Sequence, residues 1–160
     1  MLYIDLDGVL ANFDGKVLEI TGKYPSELTT KELWKTLERV DNFYYSLDII
    51  EGSEEFLNYI LYTSQVGVEI LTALPSPSKK LRTSSNDKIM WVYDKLDPYI
   101  ITNCVSNWRM KTYFCRNDDD ILIDDQEKNI VNWQEAGGIG ILHDNFEDTI
   151  QKLKELNVVM

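Results

Sequence analysis

Two aspartates stand two positions apart near the start of the chain, directly after an apolar run. Asp5 and Asp7 follow the run 1–4, and Gly8 follows them. Two carboxylates held this close at the end of a buried strand repel each other and raise each other's pKa, so folding gains nothing from their proximity. A pair of this kind is typical of a bound cation, of acid–base or nucleophilic chemistry, or of both.

Further polar residues follow other apolar runs. Thr72 ends the β-branched run 66–72, and Asp124 and Asp125 follow a later short run, with Lys111 in the connection before it. Ligands of an open parallel sheet bind at the carboxyl ends of its strands. We therefore expect two acid pairs, one hydroxyl and one lysine to meet at a single edge of a sheet.

The elements that would position these residues follow from the spacing of apolar side chains. Besides the first strand, short apolar runs predict strands at 66–72, 99–102, 120–124 and 138–142. Apolar residues at helical spacing predict helices at 53–62, 87–96, 126–136 and 146–156. Continuous apolar strands that alternate with helices of this length indicate an α/β fold with a doubly wound parallel sheet, covered on both faces.

Details of these helices can be predicted as well. Ser53 is the expected N-cap of the first helix. The buried stripe of the second is expected to contain Ile89, Trp91, Val92 and Leu96. Asp124 and Asp125 have a structural alternative, since they could cap the helix that starts near Gln126.

Residues 14–50 interrupt the alternation and predict a small helical cap inserted after the first strand. They suggest two or three short helices, and aromatic residues are concentrated between Trp34 and Leu47. We expect 1–13 and 51–160 to form the core domain and 14–50 to form the cap.

The composition limits the partners of the chain. Its 160 residues contain 27 acidic and 16 basic side chains, a formal net charge of −11. Sequence-independent binding to nucleic acid or to an anionic membrane needs positive charge, so we expect neither. A small phosphorylated substrate held by a metal ion and one or two lysines is compatible with this charge. The composition leaves open whether the protein forms a homodimer.

Other features point to the cytoplasm. No signal peptide and no apolar stretch of about 20 residues is visible. Cys104 and Cys115 show no metal-binding spacing and are expected to be reduced. The acidic triplet 118–120 is expected to be a solvated turn, and the single histidine, His143, is expected to be structural or exposed.

Four motifs in order resemble those of the haloacid dehalogenase superfamily of phosphotransferases: Asp5-x-Asp7-Gly8-Val9, Thr72, Lys111 and Ile123-Asp124-Asp125. Any one of these motifs is weak evidence, but four in order at predicted strand ends are specific. The resemblance covers essentially the whole chain.

A finer resemblance is to the 5'(3')-deoxyribonucleotidase branch. It is carried by Asp5-Leu6-Asp7-Gly8-Val9-Leu10-Ala11-Asn12-Phe13, Asn42-Phe43-Tyr44-Tyr45-Ser46-Leu47, Ile121-Leu122-Ile123-Asp124-Asp125 and Trp133-x-x-Ala136-Gly137-Gly138. The resemblance implies hydrolysis of a nucleoside monophosphate, preferably deoxy, to nucleoside and phosphate.

The resemblance also implies roles for the acidic residues. Asp5 would be the nucleophile that forms an aspartyl-phosphate, and Asp7 the general acid and then the general base. Asp5, the backbone carbonyl of Asp7 and Asp124 would hold Mg²⁺, with Asp125 supporting the metal site.

The remaining site residues would bind the substrate. Thr72 and nearby backbone amides would contact phosphate oxygens, and Lys111 would offset negative charge, although Lys79 and Lys88 are alternatives to Lys111.

Substrate selection is expected to depend on aromatic residues. Phe13, with Phe43 or Tyr44, is expected to stack on the nucleobase, and the alternative is that these rings form the core of the cap. One departure from the branch follows Thr72, where Ala73 stands in place of a serine. Ala73 could still contact phosphate through its backbone amide, so we do not expect the missing hydroxyl to prevent catalysis. It bears instead on which base and sugar the protein selects.

Two alternatives to nucleotide hydrolysis stay open. One is the same chemistry on another small phosphate ester, such as a sugar phosphate. The other is a non-catalytic protein that uses its acidic surface to bind a partner.

Overall fold

The computed structural model describes all 160 residues and contains one five-stranded parallel sheet. The strands are β1 (Leu2–Ile4), β2 (Val68–Ala73), β3 (Thr102–Val105), β4 (Ile121–Asp124) and β5 (Ile139–Leu142). Their order in the sheet is β3-β2-β1-β4-β5, and every neighbouring pair is parallel. The chain therefore winds outward from β1 in both directions, as the predicted doubly wound α/β fold requires.

Six α-helices accompany the sheet: α1 (Phe13–Thr21), α2 (Thr30–Leu37), α3 (Ser53–Thr63), α4 (Ser84–Lys95), α5 (Glu127–Glu135) and α6 (Phe146–Glu155). Two 3₁₀ segments, Pro25–Glu27 and Trp108–Phe114, complete the regular structure. No helix is both long enough and apolar enough to span a bilayer.

Both faces of the sheet are buried, which explains why its central strands are continuously apolar. On one face Leu2 and Ile4 of β1 belong to a core of 24 buried residues. On the other face Tyr3 packs with Leu122 and Trp133 in a second, smaller core. Side chains on both faces of the sheet are therefore shielded from water. A strand that alternated apolar and polar residues would bury its polar side chains on one of these faces.

The register of the sheet brings the functional strand ends together. Ile4 of β1 is level with Ile70 on one side and with Ile123 on the other. The backbone N–H of Asp5 continues this ladder with a 2.9 Å hydrogen bond to the carbonyl of Ile123. The carboxyl ends of β2, β1 and β4 consequently lie side by side at the centre of one edge.

The third strand lies further along the chain than predicted. The sequence suggested 99–102, whereas β3 spans Thr102–Val105. The carboxylate of Asp97 accepts hydrogen bonds from the backbone N–H groups of Tyr99 (2.7 Å) and Ile100 (3.1 Å). This turn fixes the backbone just before the strand, so pairing with β2 is delayed.

Two predicted details of the helices were wrong. Gly52, with a φ of +89°, occupies the N-cap position of α3, and Ser53 instead donates its hydroxyl to the carbonyl of Leu10 at 3.1 Å. On α4, Ile89 is exposed and the fully buried Lys88 takes its place on the inner stripe beside Trp91.

The prediction of a solvated acidic turn was wrong for Asp120. Its side chain is buried and accepts hydrogen bonds from the backbone N–H groups of Arg116 (2.8 Å) and Asn117 (2.9 Å), and from the amino group of Met1 (2.9 Å). Asp120 thereby ties the end of the loop before β4 to the start of β1.

The segment between β1 and α3 contains α1, α2 and the aromatic turn that follows them. Asn12 caps α1 by accepting a 2.9 Å hydrogen bond from the backbone N–H of Gly15. Phe43, Tyr44 and Leu47 of the aromatic turn are buried in the same core as β1. The indole N–H of Trp91 on α4 donates to the carbonyl of Leu47 at 2.7 Å. This hydrogen bond fixes the aromatic turn to α4.

Candidate active site

Lys111 joins the ends of β1 and β4. Its Nζ lies 2.8 Å from Asp5 Oδ1 and 2.6 Å from Asp124 Oδ2, and its side chain is only 2% exposed. The 3₁₀ segment Trp108–Phe114 carries this lysine over the sheet edge. Burial alone would lower the pKa of Lys111, but the carboxylates of Asp5 and Asp124 raise it above its ordinary value, so the ammonium stays charged.

A second buried lysine joins the ends of β1 and β2. Lys88 Nζ lies 2.5 Å from Asp7 Oδ2, 2.8 Å from Thr72 Oγ1 and 2.8 Å from the carbonyl oxygen of Ala73. Thr72 is completely buried. Burial raises the pKa of Asp7, and the positive charge of Lys88 partly offsets that effect.

Three aspartates crowd together at this edge of the sheet. Asp5, Asp124 and Asp125 each offer a carboxylate oxygen, and these oxygens lie within 4.8 Å of one another. Burial and the charge of Asp5 raise the pKa of Asp124 to about 6 and that of Asp125 to about 7. The ammonium of Lys111 pairs with Asp5 and Asp124, and no positively charged side chain pairs with Asp125, so the cluster carries more negative charge than its own partners neutralise.

Neighbouring residues orient this acidic cluster. The side-chain amide of Asn129 lies 2.9 Å from both oxygens of Asp124, and the backbone N–H of Gln126 also donates to Asp124 at 2.9 Å. Gln126 Nε2 donates to Asp125 Oδ2 at 2.7 Å. Of the two acids that the sequence left open as helix caps, Asp124 accepts the backbone N–H of Gln126 at the start of α5, whereas Asp125 accepts no capping bond there.

The donor set fits a hard divalent cation such as Mg²⁺. The oxygens Asp7 Oδ1 and Asp125 Oδ1 are buried and have no hydrogen-bond partner. Buried acceptors without partners are costly, and oxygens in this arrangement are the ligands that Mg²⁺ prefers. Asp5, Asp124 and Asp125 supply the carboxylates, and the two unpartnered oxygens leave room for further coordination or for a substrate donor.

These residues line the floor of a cavity of about 800 Å³. Asp5, Asp7, Thr72, Lys111 and Asp125 all contribute to its lining. Its walls combine polar side chains, among them Asn107 and Lys128, with the apolar residues Phe13, Leu33, Trp34, Leu74, Pro75 and Trp108. A charged floor beneath aromatic walls suits a ligand with an anionic end and a flat apolar end.

Two of the predicted aromatic contacts do not reach this cavity. Phe43 and Tyr44 are 1% and 4% exposed, and neither lines it. Both pack behind Phe13 instead, with ring centroids 5.7 Å and 6.4 Å from that of Phe13. The physical reason is that the aromatic turn is part of the main core, so its rings support the cavity wall rather than forming it.

Lys88, Asn129 and Trp108 belong to the site, although the sequence motifs did not predict them there. Lys88 and Asn129 lie on the buried stripes of α4 and α5, one turn before Trp91 and Trp133. A lysine or asparagine at such a position is a detectable signal, because a buried polar side chain needs a partner. Trp108 gave no signal of this kind.

The family comparison agrees with this geometry. Residues 1–152 match the model of a family described as 5' nucleotidase, deoxy (pyrimidine), cytosolic type C protein. The chain belongs to this family. It is therefore a hydrolase of phosphoric monoesters, and the alternative of a non-catalytic binding protein is not retained. No protein with a curated function is significantly similar to the chain.

Solved structures share the fold of this 5'-nucleotidase family member. A haloacid dehalogenase family hydrolase from Deinococcus radiodurans, solved with bound phosphate and sodium, is 14% identical with a TM-score of 0.62; the match covers 99% of this chain and 96% of that one. A hydrolase from Streptococcus pneumoniae is 15% identical with a TM-score of 0.57, and the match covers 96% of this chain and 97% of that one. The architecture is that of haloacid dehalogenase hydrolases, as the sequence motifs suggested.

Proposed function

We propose that this chain hydrolyses nucleoside monophosphates, preferably deoxy, to nucleoside and phosphate through an aspartyl-phosphate on Asp5. The observation that carries the proposal is the pairing of each catalytic aspartate with its own buried lysine, Asp5 with Lys111 and Asp7 with Lys88, beneath one cavity. The carboxylate of Asp5 and a phosphate dianion repel each other. The ammonium groups of Lys111 and Lys88 reduce that repulsion.

The first half of the reaction transfers the phosphoryl group to the protein. A carboxylate oxygen of Asp5 attacks phosphorus while the bond from phosphorus to the ester oxygen breaks. Asp7 gives its proton to the departing ester oxygen, which leaves as the hydroxyl of the nucleoside. Thr72 and Lys111 bind the phosphoryl oxygens, on which charge is concentrated.

The second half releases phosphate. Asp7, now a carboxylate, takes a proton from a water molecule as that water attacks the phosphorus of the aspartyl-phosphate. The bond between phosphorus and the Asp5 oxygen breaks, and Asp5 returns as a free carboxylate. Asp7 regains its proton in this step, so the cycle balances.

Asp5, Asp124 and Asp125 would hold Mg²⁺, together with the backbone carbonyl of Asp7. When bound, Mg²⁺ neutralises negative charge on the phosphate and orients it. The unpartnered oxygen of Asp125 and the excess negative charge of the cluster support this assignment.

The walls of the cavity support a nucleobase as the rest of the substrate. Phe13, Trp34 and Trp108 present aromatic side chains above the charged floor. Stacking on an aromatic side chain contributes about 1–3 kcal/mol per base. A sugar phosphate would leave these rings without a partner, although it would react by the same steps. Ala73, which lines the cavity beside Thr72, would contact the substrate through its backbone.

The family's cytosolic type supports a cytoplasmic location. A homodimer stays a proposal that sedimentation of the purified protein would test.

The test is phosphate release with Mg²⁺ from a panel of deoxy- and ribonucleoside 5'- and 3'-monophosphates and several sugar phosphates. We expect selective turnover of deoxynucleotides by the wild type and none by Asp5→Asn. Asp119→Asn, which changes an exposed carboxylate outside the site, is the matched control. Turnover restricted to sugar phosphates would contradict the substrate, and full activity of Asp5→Asn would contradict the mechanism.

A further inference from the structure

Lys88 is completely buried, and all of its hydrogen-bonding capacity is used within the protein. An ammonium group has three N–H donors and no acceptor. The three acceptors are Asp7 Oδ2, Thr72 Oγ1 and the carbonyl oxygen of Ala73, at 2.5, 2.8 and 2.8 Å. Lys88 has no donor left for a substrate, so any effect on the reaction must pass through these neighbours.

The contact with Thr72 fixes the direction of a proton. Because Lys88 can only donate, Thr72 Oγ1 must be the acceptor in their hydrogen bond. The hydroxyl proton of Thr72 is consequently free to point elsewhere, and Thr72 lines the cavity. Lys88 thus presents the Thr72 hydroxyl to the cavity as a donor, which is the role that an anionic ligand needs.

The contact with Asp7 distinguishes its two carboxylate oxygens. Oδ2 is held by Lys88, whereas Oδ1 is buried without any hydrogen-bond partner. Asp7 also lines the cavity. A carboxylate fixed through one oxygen cannot rotate freely, so Oδ1 is kept available for a group in the cavity.

The position of Lys88 is in turn fixed by the aromatic turn. Its Nζ lies 4.4 Å from the ring centroid of Tyr44, a cation–π contact. Tyr44 is buried and packs against Phe43, with ring centroids 5.2 Å apart. The ammonium is therefore held between a ring on one side and three acceptors on the others.

We infer that Lys88 is a positioning residue that sets Asp7 Oδ1 as the proton-transferring oxygen and Thr72 as a phosphate donor. The inference rests on the proposed function and adds a residue to it. Lys88 does not touch the substrate. Its removal should therefore impair proton transfer to the leaving group more than it impairs phosphate binding.

The test compares Lys88→Met with the wild type on phosphate esters whose leaving groups differ in basicity, from p-nitrophenyl phosphate to alkyl phosphates and a nucleoside 5'-monophosphate. The value of kcat/KM reports the steps up to formation of the aspartyl-phosphate, where a basic leaving group needs the proton of Asp7. We expect Lys88→Met to lose about 10²-fold or more on alkyl esters, and far less on the p-nitrophenyl ester, which leaves without protonation. Lys154→Met, which removes an exposed lysine on α6, should not change this dependence.

A double-mutant cycle with Asp7→Asn keeps the inference testable if Lys88→Met is poorly stable. If Lys88 acts through Asp7, then adding Lys88→Met to Asp7→Asn should cause little further loss of kcat/KM on alkyl esters. The double variant also removes both charges of the ion pair together, so Lys88 is not replaced while Asp7 keeps its charge, which favours its folding over that of either single variant. Thermal unfolding of each variant confirms that the folded protein is assayed.

Equal losses of Lys88→Met on every ester, or losses that add to those of Asp7→Asn, would overturn the inference and leave Lys88 a structural or general electrostatic role. Failure of the proposed function is a separate result. It would be seen as wild-type protein that hydrolyses none of the esters, or as activity that survives Asp5→Asn.

Discussion

The carboxylate of Asp125 fills the space in which a side chain on Gly8 would stand. Gly8 follows the two aspartates that come after β1 and has a φ of +82°, a conformation that residues with a side chain rarely adopt. The glycine therefore serves two purposes. It allows the chain to turn sharply after Asp7, and it lets the loop from β1 approach the loop from β4 closely enough to complete the acidic cluster.

This contact predicts that Gly8→Ala reduces activity by more than its effect on stability explains. Gly22 provides the matched control, because its φ is +71° but no atom would meet an added Cβ within 4 Å. Both substitutions should destabilise the fold by about 1–2 kcal/mol through backbone strain. Only Gly8→Ala should displace Asp125 and reduce phosphate release, as measured with the same substrate at saturating Mg²⁺. Equal activity of the two variants would contradict the role given to this close approach.

The sequence was sufficient to predict the edge at which Asp5, Thr72 and Asp124 meet, because the ends of adjacent parallel strands are neighbours once the order of strands is known. Lys111 was predicted from its place in the motif, and the structure puts its ammonium between Asp5 and Asp124. The pairing of Lys88 with Asp7 could not be derived in this way. It depends on how α4 is rotated against the sheet, which places both Lys88 and Trp91 on the buried face of the helix.

The aromatic residues illustrate a second limit of the sequence. Phe43 and Tyr44 were expected at the base, but the turn that carries them packs into the main core. Trp108 lines the cavity from the 3₁₀ segment Trp108–Phe114, some 70 residues from Trp34 in the chain. Which rings reach a cavity depends on contacts between distant segments, and spacing along the chain does not encode those contacts.

Asp120 gives a prediction on pH and stability. Burial alone would raise its pKa, but the amino group of Met1 and the backbone N–H groups of Arg116 and Asn117 bring the pKa below its ordinary value. A carboxylate whose pKa is lower in the folded state stabilises the protein above its unfolded pKa, and this contribution disappears as the pH falls through the folded pKa.

Asp120→Asn should therefore lower the free energy of unfolding at neutral pH by about 1–3 kcal/mol. The difference from the wild type should shrink as the pH falls below about 4, the ordinary pKa of an aspartate. Urea unfolding at several pH values measures both. The exposed Asp119→Asn should show neither effect, and a loss for Asp120→Asn that is independent of pH would contradict the electrostatic explanation.

Asn129 gives a prediction on the metal site. Its amide lies 2.9 Å from both oxygens of Asp124, so Asn129→Leu removes this support while keeping the volume of the side chain. Loss of a group that orients a metal ligand typically costs about 10–100-fold in metal affinity. We expect the Mg²⁺ concentration for half-maximal activity to rise by that factor, and chelation of Mg²⁺ to stop turnover in both proteins.

Asn132→Leu, on the same helix but outside the cavity lining, is the control for Asn129→Leu and should leave the Mg²⁺ requirement unchanged. Calorimetric titration of Mg²⁺ into each protein adds a measurement that does not depend on turnover. If the two variants bound Mg²⁺ with the same affinity, Asn129 would have no part in holding Asp124 for the metal.

Trp34 and Trp108 give a prediction on substrate selection. Both are half-buried and line the cavity above the charged floor, Trp34 from α2 and Trp108 from the 3₁₀ segment that also carries Lys111. If they stack on the nucleobase, Trp34→Ala and Trp108→Ala should each reduce kcat/KM for a nucleoside monophosphate by about 5–150-fold, which corresponds to about 1–3 kcal/mol.

Glycerol phosphate has no base, so its slower hydrolysis should change little. Tyr62→Ala removes an aromatic side chain that is 93% exposed and distant from the cavity lining, and it should affect neither substrate. Parallel losses on the nucleotide and on glycerol phosphate would mean that the two tryptophans support the catalytic floor rather than the base.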